Sequence, residues 1–75
     1  MKAYVLVKGS MGQVEEMAAA ARKLPAVTSA EAVFGIYDMI VVAQVASVRD
    51  LGLLVLRGIQ SIPGVQQTFT CLAVE

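Results

Sequence analysis

Lys23-Leu24-Pro25-Ala26-Val27 and Ser61-Ile62-Pro63-Gly64-Val65 are two versions of one junction, thirty-eight residues apart in a chain of 75. Each follows a run whose apolar residues fall at helical spacing, and each leads into a run of strand formers. Proline lacks an N–H and its ring clashes with the preceding turn, so it ends a helix. The pair therefore marks two helix-to-strand connections, and the chain reads as two related halves.

Working outward from the first junction, Val14, Met17, Ala18, Ala21 and Leu24 recur on one helical face. Glu15 and Glu16 stand in its first turn and Arg22 and Lys23 in its last, the charge order that complements the helix dipole. Gly9-Ser10-Met11-Gly12 joins this helix to a first strand, Ala3 to Lys8. After the junction, Val27 to Phe34 reads as a second strand and Gly35-Ile36-Tyr37-Asp38 as a tight connection. Met39 to Val45, almost continuously apolar, reads as a third strand. Ser47, with Asp50 three residues on, suits the start of a second helix, whose stripe is Val48, Leu51, Val55, Ile59 and Ile62. In the last strand, Val65 to Val74, Phe69, Cys71 and Ala73 alternate with Thr68, Thr70, Leu72 and Val74. The order βαββαβ is that of an α+β, ferredoxin-like fold: a four-stranded antiparallel sheet with two helices on one face. Right-handed crossovers place the first and third strands at its centre. The length allows one domain, residues 1–75.

Two helices cover only one face of such a sheet. A face open to water should carry polar residues at alternate positions. Here Tyr4 and Leu6 are apolar, and so are Val5 and Val7. The same holds for Ile40 and Val42 against Val41, Ala43 and Val45, with Gln44 the exception. The helix-free face is therefore expected to be covered by a second copy, giving a sheet-face dimer. The alternative is an exposed face softened by small alanines and valines. Leu53 and Leu56 lie off the stripe of the second helix. They would contact a further subunit or pack under flanking loops. Composition agrees with assembly: 57% of residues are hydrophobic and 16% charged. A domain this small is marginal alone. One cysteine and no histidine leave neither an internal disulfide nor a four-ligand zinc site to stabilise it.

The same inventory narrows function. Formal net charge is zero and the Lys and Arg residues are scattered, so there is no electrostatic footprint for nucleic acid. The longest uncharged stretch, Gly58 to Val74, is broken by Pro63 and several Gln, Ser and Thr. It is not a membrane span. The N-terminus runs straight into a strand, and a cytoplasmic protein is expected. Without histidine the usual base for a Ser or Cys nucleophile is missing. The carboxylates are Glu15, Glu16, Glu31, Asp38, Asp50 and Glu75; the first two are explained by the helix dipole. No phosphate-binding glycine loop is present. Cys71, mid-strand, is expected to be buried and inert. Met11, Met17 and Met39 read as turn or core fillers. No catalytic residue, metal site or cofactor is expected.

Leu24-Pro25-Ala26-Val27, Phe34-Gly35-Ile36-Tyr37-Asp38, the apolar strand after it and Ile62-Pro63-Gly64-Val65-Gln66-Gln67-Thr68-Phe69-Thr70 together resemble the RAM domain. RAM stands for regulation of amino-acid metabolism; the domain is the effector-binding half of Lrp/AsnC (feast/famine) transcription regulators. The resemblance covers essentially the whole chain. It implies the βαββαβ fold, homodimers formed through the sheets, rings of dimers that are often octamers, and amino-acid effectors held between dimers. It departs in one respect: the regulators carry an N-terminal helix-turn-helix domain and this chain does not. The resemblance is thus to a stand-alone RAM protein that does not bind DNA directly and acts through partners, among them full-length Lrp/AsnC-type regulators.

Carried over position by position, Gly35, Tyr37 and Asp38 match the effector loop, and Thr68 and Thr70 the final-strand pair. A zwitterion needs an anion for its ammonium and neutral donors for its carboxylate. Asp38 can supply the first; Thr hydroxyls and backbone N–H groups near Gly35 can supply the second. Residue type alone leaves a structural reading open. Gly35 and Asp38 also suit a tight hairpin, and Thr68 and Thr70 suit any strand. Phe34, beside the loop, favours an apolar amino acid over a charged one. The expected function is non-catalytic amino-acid binding and oligomerisation in the regulation of amino-acid metabolism. A purely structural assembly module and a dimeric α+β-barrel enzyme share the fold, which by itself does not separate them.

Overall fold

The computed structural model describes residues 1–74; Glu75 lies outside the described residues. Strand β1 (Lys2–Gly9) leads through a 3-10 turn at Met11–Gln13 into α1 (Val14–Arg22), β2 (Val27–Ala32) and β3 (Met39–Gln44). The second helix, residues 48–61, is α-helical as α2 (Val48–Leu53), π-helical over Leu54–Gly58 and 3-10 over Ile59–Ser61. Strand β4 (Val65–Leu72) follows. The sheet order is β2-β3-β1-β4 with every pair antiparallel. This is the expected ferredoxin-like arrangement, with β1 and β3 central.

The register assigns the faces. Ala3, Val5 and Val7 lie beside Ala43, Val41 and Met39 on the helix side, and all six are fully buried. Met17, Ala18 and Ala21 of α1 and Leu51, Val55 and Ile59 of the second helix close over them. Burying a Val, Leu, Ile or Met side chain stabilises by roughly 1.5–3 kcal/mol. A glycine inside a helix costs about 1 kcal/mol. The second helix can therefore carry Gly52 and Gly58 because its buried stripe outweighs them. At its end the Ser61 hydroxyl shares its one proton between the carbonyls of Arg57 at 2.9 Å and Gly58 at 2.7 Å.

The two junctions have the same shape. Val27 N–H donates to Leu24 O at 3.3 Å and Val65 N–H to Ile62 O at 3.2 Å. Each encloses a proline followed by a residue with positive φ, Ala26 at 75° and Gly64 at 98°. That is a type II turn, with Pro at its second position and left-handed backbone at its third.

Several boundaries and two burials differ from expectation. The second strand ends at Ala32, not Phe34, because Val33 N–H turns to Asp38 O at 2.9 Å and closes the hairpin. The last strand stops at Leu72. The second helix is not uniform, and Val48, placed on its stripe, is exposed. Cys71 is exposed rather than buried: its register with Tyr4 puts it on the face without helices. Met11 is exposed as well, whereas Met17 and Met39 are core. Among the described residues, no helix is long and apolar enough to cross a membrane.

Candidate ligand-binding site

The connection between β2 and β3 is built around Asp38. Its N–H donates to Val7 O at 2.9 Å and its carbonyl accepts from Val33 N–H. Its side-chain Oδ2 accepts from Gly9 N–H at 2.9 Å. Asp38 thus ties the hairpin to the end of β1. With three backbone-linked bonds holding the residue, the carboxylate is fixed in place, and it opens onto a hollow of about 370 Å3. Val14 and Val33 give it apolar surface, Met11 and Phe34 stand exposed at its rim, and two further acidic residues, Glu15 and Glu16 of α1, border it. Gly12 also borders it.

Three acidic residues and no basic one among the lining residues make this hollow electronegative next to apolar surface. An α-ammonium group with an aliphatic neighbour fits that description; a free carboxylate does not. A zwitterion placed here needs donors for its carboxylate from backbone N–H groups or from another chain.

The five residues expected from the sequence separate into three groups. Asp38 lines the hollow. Gly35 stands at the loop tip, exposed, with open space where a Cβ would lie and without a positive φ. Its lack of a side chain is thus not required by the turn itself. Tyr37 turns to the helix-free face, where its ring meets Phe69 edge-on at 5.6 Å. Thr68 and Thr70 lie beside Val7 and Val5 in the register, on the helix side of the edge strand β4. Gln60 Nε2 donates to Thr68 Oγ1 at 2.9 Å. One chain therefore does not bring the acid and the threonine pair into one cavity.

Met11, Gly12, Glu15 and Glu16 were not expected at the site. They precede Asp38 by 22 residues or more and meet it only because β1 pairs with β3. Sequence offered one signal, two adjacent carboxylates at a helix start, which the dipole already explained. Among the described residues, no group of His, Cys, Asp and Glu is placed to hold a metal ion, and the buried set holds no polar or charged side chain.

The molecule is thus a small ferredoxin-like domain with an acid-lined hollow beside its hairpin. The chain belongs to the Lrp/AsnC ligand binding domain family, whose model matches residues 2–75. No curated protein matches it. Among solved structures, TTHA0845 from Thermus thermophilus is 32% identical, with a TM-score of 0.93 over 99% of this chain and 92% of that one. The transcriptional regulator NMB0573 from Neisseria meningitidis, solved as a complex with L-Met, is 26% identical with a TM-score of 0.86. Escherichia coli AsnC shares the fold at 21% identity and a TM-score of 0.90. The chain spans 49% of the Neisseria regulator and 50% of AsnC, but nearly all of TTHA0845.

Proposed function

We propose that this chain binds a free amino acid as an effector and works as an assembly of copies, without catalysis, to influence regulators of amino-acid metabolism. The observation that carries the reading is the hollow at Asp38, acidic and apolar-walled, in a member of a ligand-binding family. Asp38, aided by Glu15 and Glu16, takes the ammonium group. Met11, Val14 and Phe34 take an aliphatic side chain, in keeping with the L-Met bound to the Neisseria regulator. Thr68 and Thr70 of a neighbouring copy, with backbone N–H groups near Gly35 and Tyr37, complete the site at the carboxylate. The separation of acid and threonines within one chain is why the site is assigned to an interface.

Two surfaces serve the assembly. Tyr4, Leu6, Ile40, Val42 and Phe69 form an apolar helix-free face that suits a second copy. The loop tip, with Phe34 and Ile36 exposed, suits contact between dimers in a ring. A cytoplasmic site of action and mixed assembly with full-length Lrp/AsnC-type regulators complete the proposal. A second reading has its own support: Asp38 already accepts from Gly9, and Thr68 from Gln60. Both can be purely structural, leaving a scaffold without a ligand.

The test is thermal unfolding against the twenty amino acids, with mass measured in solution. A ligand at about 100 times Kd stabilises the native state by about 2.7 kcal/mol, which for a domain this size raises Tm by something on the order of 10 °C. Met, Leu or Ile should give the shift, on a species larger than a dimer. Asp38→Asn, which keeps an oxygen for Gly9 and removes the charge, should remove the part of the shift that arises at this hollow. No shift from any amino acid, with the assembly intact, would leave the scaffold. A shift led by Lys or Asp would overturn the apolar preference.

A further inference from the structure

At the opposite end of the sheet lies a second and larger hollow, about 460 Å3. It is an open groove bordered by the first type II turn, the end of β3 and the second helix. It shares no lining residue with the hollow at Asp38. The six residues of β3, at roughly 3.3 Å each, keep the two about 20 Å apart.

Leu24, Val45, Leu53 and Leu54 give this groove its apolar walls. Two charged groups stand among them, Asp50 and Arg57. They are seven residues apart on one helix, so they share a side, two turns apart, with Cα atoms about 10 Å from each other. Both side chains are exposed, and neither needs the other for burial. A carboxylate and a guanidinium that face one groove over that span are complementary to a ligand with its own ammonium and carboxylate. The guanidinium fork suits a carboxylate in particular.

The backbone is unusual at the same place. Ala26, on the groove wall, has a φ of 75°, a conformation that costs an L-residue energy. Leu54, Arg57 and Gly58 line the groove from within the π-helical segment, a departure from α-helix that recurs at functional sites. A Cβ on Gly58 would come within 3.1 Å of Leu24 Cδ1, so its absence lets Leu24 pack against the helix and shape the groove wall.

We propose that this groove is a second binding site, distinct from the one at Asp38. It takes an aliphatic α-amino acid with the ammonium on Asp50, the carboxylate on Arg57 and the side chain laid against Leu24, Leu53 and Leu54. The site does not depend on the reading of Asp38.

L-Leucine titrated into the full chain, followed by backbone amide NMR, separates the two sites. Saturating shifts are expected at Ala26, Ala46 and Gly58. They persist in Asp38→Asn and weaken at least tenfold in Kd in Asp50→Asn and in Arg57→Gln, with Arg57→Lys intermediate. Leucinol, which lacks the carboxylate, should respond to the Asp50 change alone; 4-methylpentanoate, which lacks the ammonium, to the Arg57 change alone. Shifts confined to Gly12, Phe34 and Asp38 would overturn the second site while supporting the first. Shifts at Ala26 and Gly58 that survive both charge variants, or that vanish in Asp38→Asn, would also overturn it.

Discussion

Gly9 shows how much one missing methyl group decides. Its N–H donates to the Asp38 carboxylate, which sets the position of the acid in the candidate site. A Cβ built at Gly9 would run into the thioether end of Met17 and lie 2.8 Å from the Gly64 carbonyl oxygen. Met17 is a flexible chain and can move. The carbonyl cannot move freely, since it already accepts from Ser10 N–H at 2.9 Å. Overpacking of this kind costs about 1–3 kcal/mol, so Gly9→Ala should lower Tm by roughly 4–8 °C for each kcal/mol. It should also weaken any ligand held by Asp38. Gly35→Ala is the matched control: a methyl group there meets open space and the backbone has no positive φ, so stability should hold or rise by about 0.4–1 kcal/mol. Thermal unfolding of the two variants beside the wild type checks the contrast. A Gly9→Ala protein melting with the wild type would show that the β1 end shifts at no cost.

At the scale of elements, the two type II turns make one another's experiment. They are equivalent in backbone, yet one carries Ala26 and the other Gly64 in the left-handed position. The left-handed region costs an L-residue about 1–2 kcal/mol, while glycine adds unfolded-state freedom worth about 0.4–1 kcal/mol. Ala26→Gly should therefore stabilise by roughly 0.5 kcal/mol, read as a rise of a few degrees in Tm. Gly64→Ala should destabilise by more than that. It takes on the left-handed penalty and crowds Gln13 and Met17, whose atoms stand 3.1 Å from the new Cβ. If the two changes moved Tm in the same direction, the equivalence of the turns would be wrong. The junctions were legible in sequence because proline is a strong stop. The positive φ was not legible at Ala26, since alanine does not announce it. Nor does any residue announce the π-helical turn in the second helix. The site was legible in proportion to its locality. Asp38 stood out within its own loop, and alternation gave the side of Thr68 and Thr70. Glu15 and Glu16 join Asp38 through strand pairing, which a reading of neighbours along the chain does not see.

For the whole molecule, the two sides of the sheet set the outcome. The helix side is dry, with Val5, Val7, Met39 and Val41 fully buried. The other side leaves Tyr4 and Phe69 more than a third exposed, with Leu6 between Ile40 and Phe69 in the register. Exposed and half-buried apolar groups thus surround Leu6 on this face, and a patch of that kind marks an interaction surface. Leu6→Lys puts a charge at its centre. A lysine buried without a partner is strongly disfavoured, so a second copy seated there must leave. The single chain keeps its core, because Leu6 points away from both helices. The expected result is a folded species at the single-chain mass of 7.9 kDa, whose Tm no longer depends on protein concentration. Leu56→Lys, on the exposed side of the second helix, should leave the proposed pairing through the sheet face intact. Mass in solution and Tm over a hundredfold range of concentration read both variants. If Leu6→Lys assembles like the wild type, the sheet face is not the dimer surface. If Leu56→Lys alone yields the single chain, the copies meet through the second helix.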